Sequence, residues 1–268
     1  MRHAQTGVAI RAAMRAGSIL REMQGRVHIE FKGPIDLVTD ADRAAERAII
    51  EGIRAAYPDH AVAAEESGDD GTNECCWHID PLDGTTNYAH GLPLYAVSLA
   101  MARSGEIQVG VIYVPATDEL FVAERGGGAY RNGAPIRVSS MDVLGHSLMV
   151  TGFPYSVRED GISNLDHFVN FQLRTQAVRR QGSAALDLAR VAQGAFDGYW
   201  ETSLHPWDMA AGALLVEEAG GRLSTLRGEA WSLGQPQIVA SNGHLHEAML
   251  AVLSLGKTGM DEITAQFR

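Results

Sequence analysis

The spacing of apolar residues changes at Tyr57-Pro58, and that change limits the folds open to the chain. Before it, Val8, Ala12, Ala16, Ile19 and Met23 recur every three or four residues, the repeat of one helix face. Gly25 follows as a stop signal. Thr39 and Asp42 have the form of a capping box, and Ala45, Ile49, Ile53 and Ala56 carry one apolar face to the break, so a second helix is expected over about 40 to 56. Between the two helices, Lys32-Gly33-Pro34-Ile35-Asp36 reads as a surface loop.

From 62 the apolar residues gather into short runs: Val62 to Ala64, Cys76 to Ile79, Tyr95 to Met101, Ile107 to Val114 and Glu119 to Ala123. Ser104-Gly105, Pro115 to Asp118 and Asn132-Gly133 punctuate the later runs, which predicts an antiparallel meander. Beyond about 145, strand-like and helical segments alternate. The expected strands are Leu148 to Thr151, Val178 to Arg180, Phe196 to Trp200, Arg222 to Ser224 and Gln237 to Ala240. The expected helices lie near 160 to 175, from Ser183 to Gln193, from Trp207 to Ala219, and last after a cap at Ser241 or Asn242. The reading is one compact unit over 1–268, with an α+β half at 1–143 and an α/β half at 144–268.

The formal net charge is −11, from 22 basic and 33 acidic side chains. That balance disfavours a nucleic-acid coat or a membrane-surface protein. It still permits a phosphate-bearing substrate if divalent cations stand between the acids and the phosphate. The two cysteines, Cys75 and Cys76, are neighbours and frame neither a disulfide scaffold nor a Cys-x-x-Cys site. A reducing cytoplasm is expected. Arg2, Arg11 and Arg15 interrupt the first twenty residues, so neither a signal peptide nor a membrane span is read there.

The segment richest in chemistry is Trp77-His78-Ile79-Asp80-Pro81-Leu82-Asp83-Gly84-Thr85-Thr86-Asn87. A strand ending at Asp80 and turning at Pro81 can aim Asp80, Asp83 and the Leu82 carbonyl at one spot, the oxygen set that hard divalent cations take. Gly84-Thr85-Thr86, directly behind, can open a helix whose unpaired N–H groups hold an anion. The plain alternative is a tight Asp-Gly turn with a Thr cap. Glu65-Glu66-Ser67 puts two acids at a strand end with no basic neighbour before Arg103; alone, such a pair is often just solvated. Asp208 falls in the first turn of a helix, where a dipole contact explains an acid equally well. No Gly-x-x-x-x-Gly-Lys-Ser/Thr loop or Gly-x-Ser-x-Gly elbow occurs, and His205 reads as a packing residue rather than a zinc ligand.

Four blocks together resemble the inositol monophosphatase family of magnesium-dependent, lithium-sensitive phosphatases. They are Lys32 with Asp36 through Asp42, Glu65-Glu66-Ser67, Trp77 through Asn87, and Trp207 through Gly212 continuing to Glu217 through Gly221. The resemblance implies a layered α-β-α-β-α sandwich of the fructose-1,6-bisphosphatase/inositol monophosphatase type. It implies Glu65, Asp80 and the Leu82 carbonyl on one metal ion, Asp80, Asp83 and Asp208 on a second, and a looser third ion near Glu65. Mg2+ is the implied cofactor, Mn2+ a substitute and Li+ an inhibitor.

The implied catalytic residues are Asp42, Thr85 and Glu65. Thr85, held by Asp42, orients the attacking water, and Gly84, Thr85 and Thr86 hold phosphate oxygens. Ala184 and Glu201, with Asp83 and Asp208, face the substrate. The implied substrate is myo-inositol monophosphate, with fructose 1,6-bisphosphate, histidinol phosphate or a 3′-phosphoadenosine nucleotide as alternatives on the same chemistry. A homodimer is implied, and contact with the transcription machinery is a second role found among bacterial relatives. On this reading Asp83→Asn abolishes activity with little loss of fold. The loop from Lys32 to Asp36 is one residue shorter than in animal members, and Ala64 stands where many relatives have Gly.

Overall fold

The structure is a computed structural model, and it describes residues 3–33, 36–155 and 164–256. In chain order, helix α1 (Ala4–Met23) leads to a short hairpin of β1 (Ile29–Phe31) and β2 (Leu37–Thr39), then α2 (Asp40–Ala56). Strands β3 (Ala61–Ala64), β4 (Gly68–Asp70) and β5 (Cys75–Asp83), the short helix α3 (Thr85–Ala89), and β6 (Ala96–Arg103), β7 (Glu106–Val114), β8 (Glu119–Glu124), β9 (Gly128–Arg131) and β10 (Ala134–Pro135) follow. The later elements are β11 (Leu148–Thr151), α4 (Leu165–Gln172), β12 (Ala177–Arg179), α5 (Ala184–Ala192), β13 (Gly198–Thr202), α6 (Pro206–Glu218), β14 (Arg222–Ser224), β15 (Gln237–Ser241) and α7 (His246–Ser254).

Strands β3 to β10 form one sheet, in the order β10-β9-β8-β7-β6-β5-β3-β4, and β11 to β15 a second, in the order β12-β11-β13-β15-β14. Side-chain alternation explains why both sheets are covered on two faces. Val97, Leu99 and Met101 of β6 point to a core shared with α1 and α2. Ala96 and Ala100 point the other way, into a core built with α5 and α6. In the second sheet, Val150, Tyr199, Ile238 and Ala240 join that same middle core, while Met149, Trp200 and Val239 face α4 and α7. The result is the α-β-α-β-α sandwich implied by the resemblance.

Several local expectations need correction. The runs around 62 and 76 are not antiparallel neighbours: β3 pairs with β5 in parallel, and only β5 onward is a meander. A parallel pair needs a crossover, here supplied by β4 and the loop after it. The last helix begins at His246, not beside Ser241, because the Asn242 side chain accepts from the Leu245 amide at 3.1 Å and holds an intervening turn. The helix read near 160 to 175 is seen as α4 from Leu165; its first expected residues, 160–163, lie outside the described residues.

The middle layer is drawn tight where glycine leaves room. A Cβ at Gly110 on β7 would stand 2.8 Å from the Ala211 carbonyl oxygen of α6. Ser98 on β6 donates to the Trp207 carbonyl at 3.1 Å, tying the start of α6 to the same sheet. Gly110→Ala should therefore push α6 outward and destabilise the fold by about 1–3 kcal/mol. Urea unfolding of the variant checks this, and an unchanged midpoint would contradict the close-packing account.

Candidate active site

Asp80 and Asp83 are three residues apart, and in a regular strand they would point to opposite faces. The structure resolves this with a bulge rather than the expected turn at Pro81. Asp80 pairs with Ser98 and Asp83 with Ala96, so β5 carries one residue more than β6 between them. The extra residue returns both carboxylates to one face. Pro81 lacks the N–H that a regular ladder needs and suits the bulge. Asp80 is 2 % exposed and Asp83 9 %.

Gly84 then takes a left-handed conformation, φ 94°, and a Cβ there would meet the Leu94 carbonyl oxygen at 2.8 Å. Only glycine fits that approach. The turn starts α3, which is only five residues long, and sets the Thr85 hydroxyl 3.0 Å from Asp42 Oδ1 and 3.0 Å from the Leu82 carbonyl oxygen. Asp42 is fixed in turn by the capping box at the start of α2: its Oδ2 accepts from the Thr39 amide at 2.9 Å and the Thr39 hydroxyl at 2.5 Å.

Glu65 follows β3, its amide donating to the Ile79 carbonyl at 3.1 Å. The buried Glu46 of α2 accepts from the Glu66 amide at 2.9 Å and fixes this corner. Contrary to the expectation that these acids lack a basic partner, Lys32 pairs with Glu66 and, at 3.3 Å, with Glu65. The partner is remote in sequence, brought in by the loop after β1, and no local reading of charge finds it. Asp208 enters as the third residue of α6, where its Oδ2 accepts from the His205 amide at 2.7 Å.

Lys32, Glu65, Asp80, Asp83 and Asp208 line one cleft of about 860 Å³, together with Leu82, Gly84, Thr85, Ala184 and Glu201, and Asp42 stands behind Thr85. Thr86 lies next to Thr85 at the start of α3. Burial raises all four metal-candidate acids, and at Asp80 and Asp208 the others add to it. Burial, then the charges of Glu65, Asp83 and Asp208, holds Asp80 far above the usual carboxylate range. Burial and the charges of Asp83, Glu65 and Glu201 do the same to Asp208, against the pull of the His205 amide. Burial lifts Glu65 to about 7, with Glu66 and Asp42 adding to it and Lys32 opposing. Burial likewise lifts Asp42 to about 6.

Among the described residues, no three His, Cys, Asp or Glu side chains already stand at ligating spacing. Several of the oxygens are turned to protein donors instead. Asp83 accepts from the Ser183 hydroxyl at 2.6 Å and from the Ala184 and Ala185 amides at 3.2 and 2.7 Å, at the start of α5. Asp83→Asn therefore also disturbs the junction between β5 and α5, and is a less clean probe than the sequence suggests. The donor chemistry fits divalent cations all the same: carboxylates from β5, the end of β3 and α6, with the Leu82 carbonyl, are hard oxygens crowded without enough positive charge.

Sequence reasoning missed other lining residues. Gly152 is one of them: a Cβ there would stand 2.1 Å from Glu201 Oε1, so any larger residue would displace that carboxylate. Glu201 Oε2 accepts from the Tyr199 hydroxyl at 2.6 Å, and burial lifts Glu201 to about 7. Arg180 and Asp187 also line the cleft. The signal for Asp187 was legible: an acid set in the otherwise apolar run Ala184-Ala185-Leu186-Asp187-Leu188-Ala189.

The fold and the acid-lined cleft together define a phosphatase of the layered-sandwich class. Residues 2–256 match the inositol monophosphatase family, and the chain belongs to that family. It is 45% identical over 251 residues to an inositol-1-monophosphatase of Synechocystis sp., covering 92% of this chain and 88% of the relative. It is 43% identical over 257 residues to a protein of Pseudomonas aeruginosa named Nus factor SuhB, covering 92% and 94%. The structure of inositol monophosphatase from Anabaena (Nostoc) sp. superposes with a TM-score of 0.87 at 44% identity, over 94% of this chain and 95% of that one. That of the Thermotoga maritima IMPase gives 0.87 at 35%, over 97% and 100%. The family uses divalent metal ions and acts on small phosphate substrates. Among the described residues no helix is long and apolar enough to cross a membrane.

Carboxyls raised above their ordinary values bind more protons in the folded chain than in the unfolded one, so their ionisation lowers stability as pH rises. Below about 6.5 the opposite effect of His78 and His246, which burial holds down at about 4, interferes. With chelator present, Tm should fall between about pH 6.5 and 8, by about 3 °C or more if one net proton is involved. Adding divalent cation at the upper pH should restore it. A flat or rising Tm would contradict the raised values of these buried carboxyls.

Proposed function

We propose that the protein hydrolyses a polyol phosphate monoester, myo-inositol monophosphate above other candidates, with Mg2+ as its cofactor. The observation that carries this reading is the gathering of Glu65, Asp80, Asp83 and Asp208 on one cleft that also holds Thr85, Ala184 and Glu201. Glu65, Asp80, the Leu82 carbonyl, Asp83 and Asp208 would hold two ions, with a third near Glu65; Mn2+ substitutes and Li+ inhibits. When bound, the ions supply the positive charge that makes a water acidic and offsets the charge building on the phosphate and the leaving oxygen.

The chain's own residues do the rest. The Thr85 hydroxyl carries one proton and two lone pairs. Donating that proton to Asp42, it keeps its lone pairs for a proton from the attacking water and so orients that water toward phosphorus. Asp42 is held for this task by Thr39, and its elevated pKa makes it a better proton acceptor than an ordinary surface aspartate. The left-handed turn at Gly84 presents backbone amides of residues 84–86 to phosphate oxygens. The Glu201 carboxylate, braced by Tyr199 and seated against Gly152, accepts hydrogen bonds from ring hydroxyls, and Ala184 leaves room for the ring.

Phosphate release from myo-inositol 1-phosphate, fructose 1,6-bisphosphate, histidinol phosphate and a 3′-phosphoadenosine nucleotide tests the substrate under Mg2+. The inositol phosphate should lead, and a preference for the nucleotide of more than about tenfold in kcat/KM would overturn the choice. Thr85→Ala should lower kcat by about 100-fold with KM little changed, and Asp208→Asn should abolish turnover while the protein still folds. The relatives named Nus factor SuhB favour a second reading, a protein-binding role beside or in place of catalysis. Absence of turnover on every polyol phosphate, with a stable complex formed on purified transcription machinery, would support it.

A further inference from the structure

Asp187 lines the cleft yet is only 1 % exposed, and its Oδ1 is sealed from solvent with no hydrogen-bond partner. The ordinary explanations of a buried aspartate do not apply to it. It sits in the first turn of α5, but the free amides at that helix start, those of Ala184 and Ala185, are already taken by Asp83. Arg190, three residues on, is committed to Glu119 through two hydrogen bonds of 2.9 and 2.5 Å. Arg180 is exposed and acts on Asp187 only through its charge.

A buried polar group without a partner costs about 1–3 kcal/mol. A leucine of similar size would remove that cost and add apolar burial, since Leu186 and Leu188 on either side are fully buried. The fold alone therefore gives no reason for an acid at this position. Its neighbours give one. Glu201, 8 % exposed, lines the same cleft and carries a charge that acts on Asp187.

We infer that Asp187 is a specificity-determining residue that works with Glu201 to read adjacent hydroxyl groups of a polyol phosphate. This rests on the polyol reading of the cleft. Burial, then the charges of Glu201 and Asp83, favours the un-ionised carboxyl on Asp187. That form has an O–H to donate, whereas Glu201, serving as acceptor to Tyr199, presents acceptor oxygens. A donor beside an acceptor matches a pair of neighbouring alcohols, each of which both gives and takes a hydrogen bond. A phosphate ester without such alcohols leaves Asp187 and the Glu201 oxygen not held by Tyr199 unserved, and a site built for hydroxyls rejects it for that reason.

The test compares kcat/KM for myo-inositol 1-phosphate and for p-nitrophenyl phosphate in the wild type, Asp187→Leu and Asp187→Asn, with Tm measured on each. Asp187→Leu should lower the inositol phosphate value by about 10–100-fold, chiefly through KM, and change the p-nitrophenyl phosphate value by less than about threefold. Its Tm should be equal to or above that of the wild type. Asp187→Asn, which keeps the size and a donor, should fall between the two and serves if the leucine variant does not fold. Parallel losses on both substrates, or a wild-type preference kept intact in either variant, would overturn the inference and leave the polyol reading standing. A wild type with no preference for the inositol phosphate would remove the polyol reading and the inference with it.

Discussion

Four carboxylates share one cleft wall in this fold, and the repulsion among them governs much of what surrounds it. At an effective dielectric of about 20, two unit charges a few ångströms apart repel by several kcal/mol, and Asp80 feels three others at once. The fold answers with local donors: the Leu82 amide on Asp80, the His205 amide on Asp208, Lys32 on Glu65, and the start of α5 on Asp83. None of these except Lys32 carries a full charge. The residual field is what a divalent cation is suited to neutralise; at Glu65, burial, with Glu66 and Asp42 adding to it, places the pKa near neutrality.

Holding such a cluster together requires an architecture whose layers are locked. The acids come from the end of β3, the bulge of β5 and the first turn of α6, elements far apart along the chain. The β5 bulge turns Asp80 and Asp83 to one face, and the same strand pair carries Ser98, whose hydroxyl fastens α6 through the Trp207 carbonyl. Gly110 admits α6 close to β7. The strain of crowding like charges is thus carried by the apolar middle core, where Met209 to Val216 of α6 are all buried.

Periodicity made the helices and most strands legible, because buried faces repeat at 3.6 and 2 residues. The second helix, expected over about 40 to 56, is α2 at Asp40–Ala56, and Arg222 to Ser224 is β14 as read. Strand direction was not legible: nothing local distinguishes a parallel β3–β5 pair from a hairpin. The bulge escaped because Pro81 signals a turn equally well. Within the site, the acids and Thr85 stood out through their motif. Lys32 as the partner of Glu65 and Glu66, Ser183 as the partner of Asp83, and Gly152 beneath Glu201 depend on contacts across long stretches of chain, which spacing does not encode.

The central claim, that acids from three separate elements form one cation-binding cage centred on Asp80, is tested most directly by anomalous diffraction from a crystal soaked in Mn2+. The account predicts paired peaks within bonding distance of Asp80, one also reached by Glu65 and the Leu82 carbonyl and the other by Asp83 and Asp208. Manganese bound elsewhere, with Asp80 touching no ion under saturating metal, would contradict it.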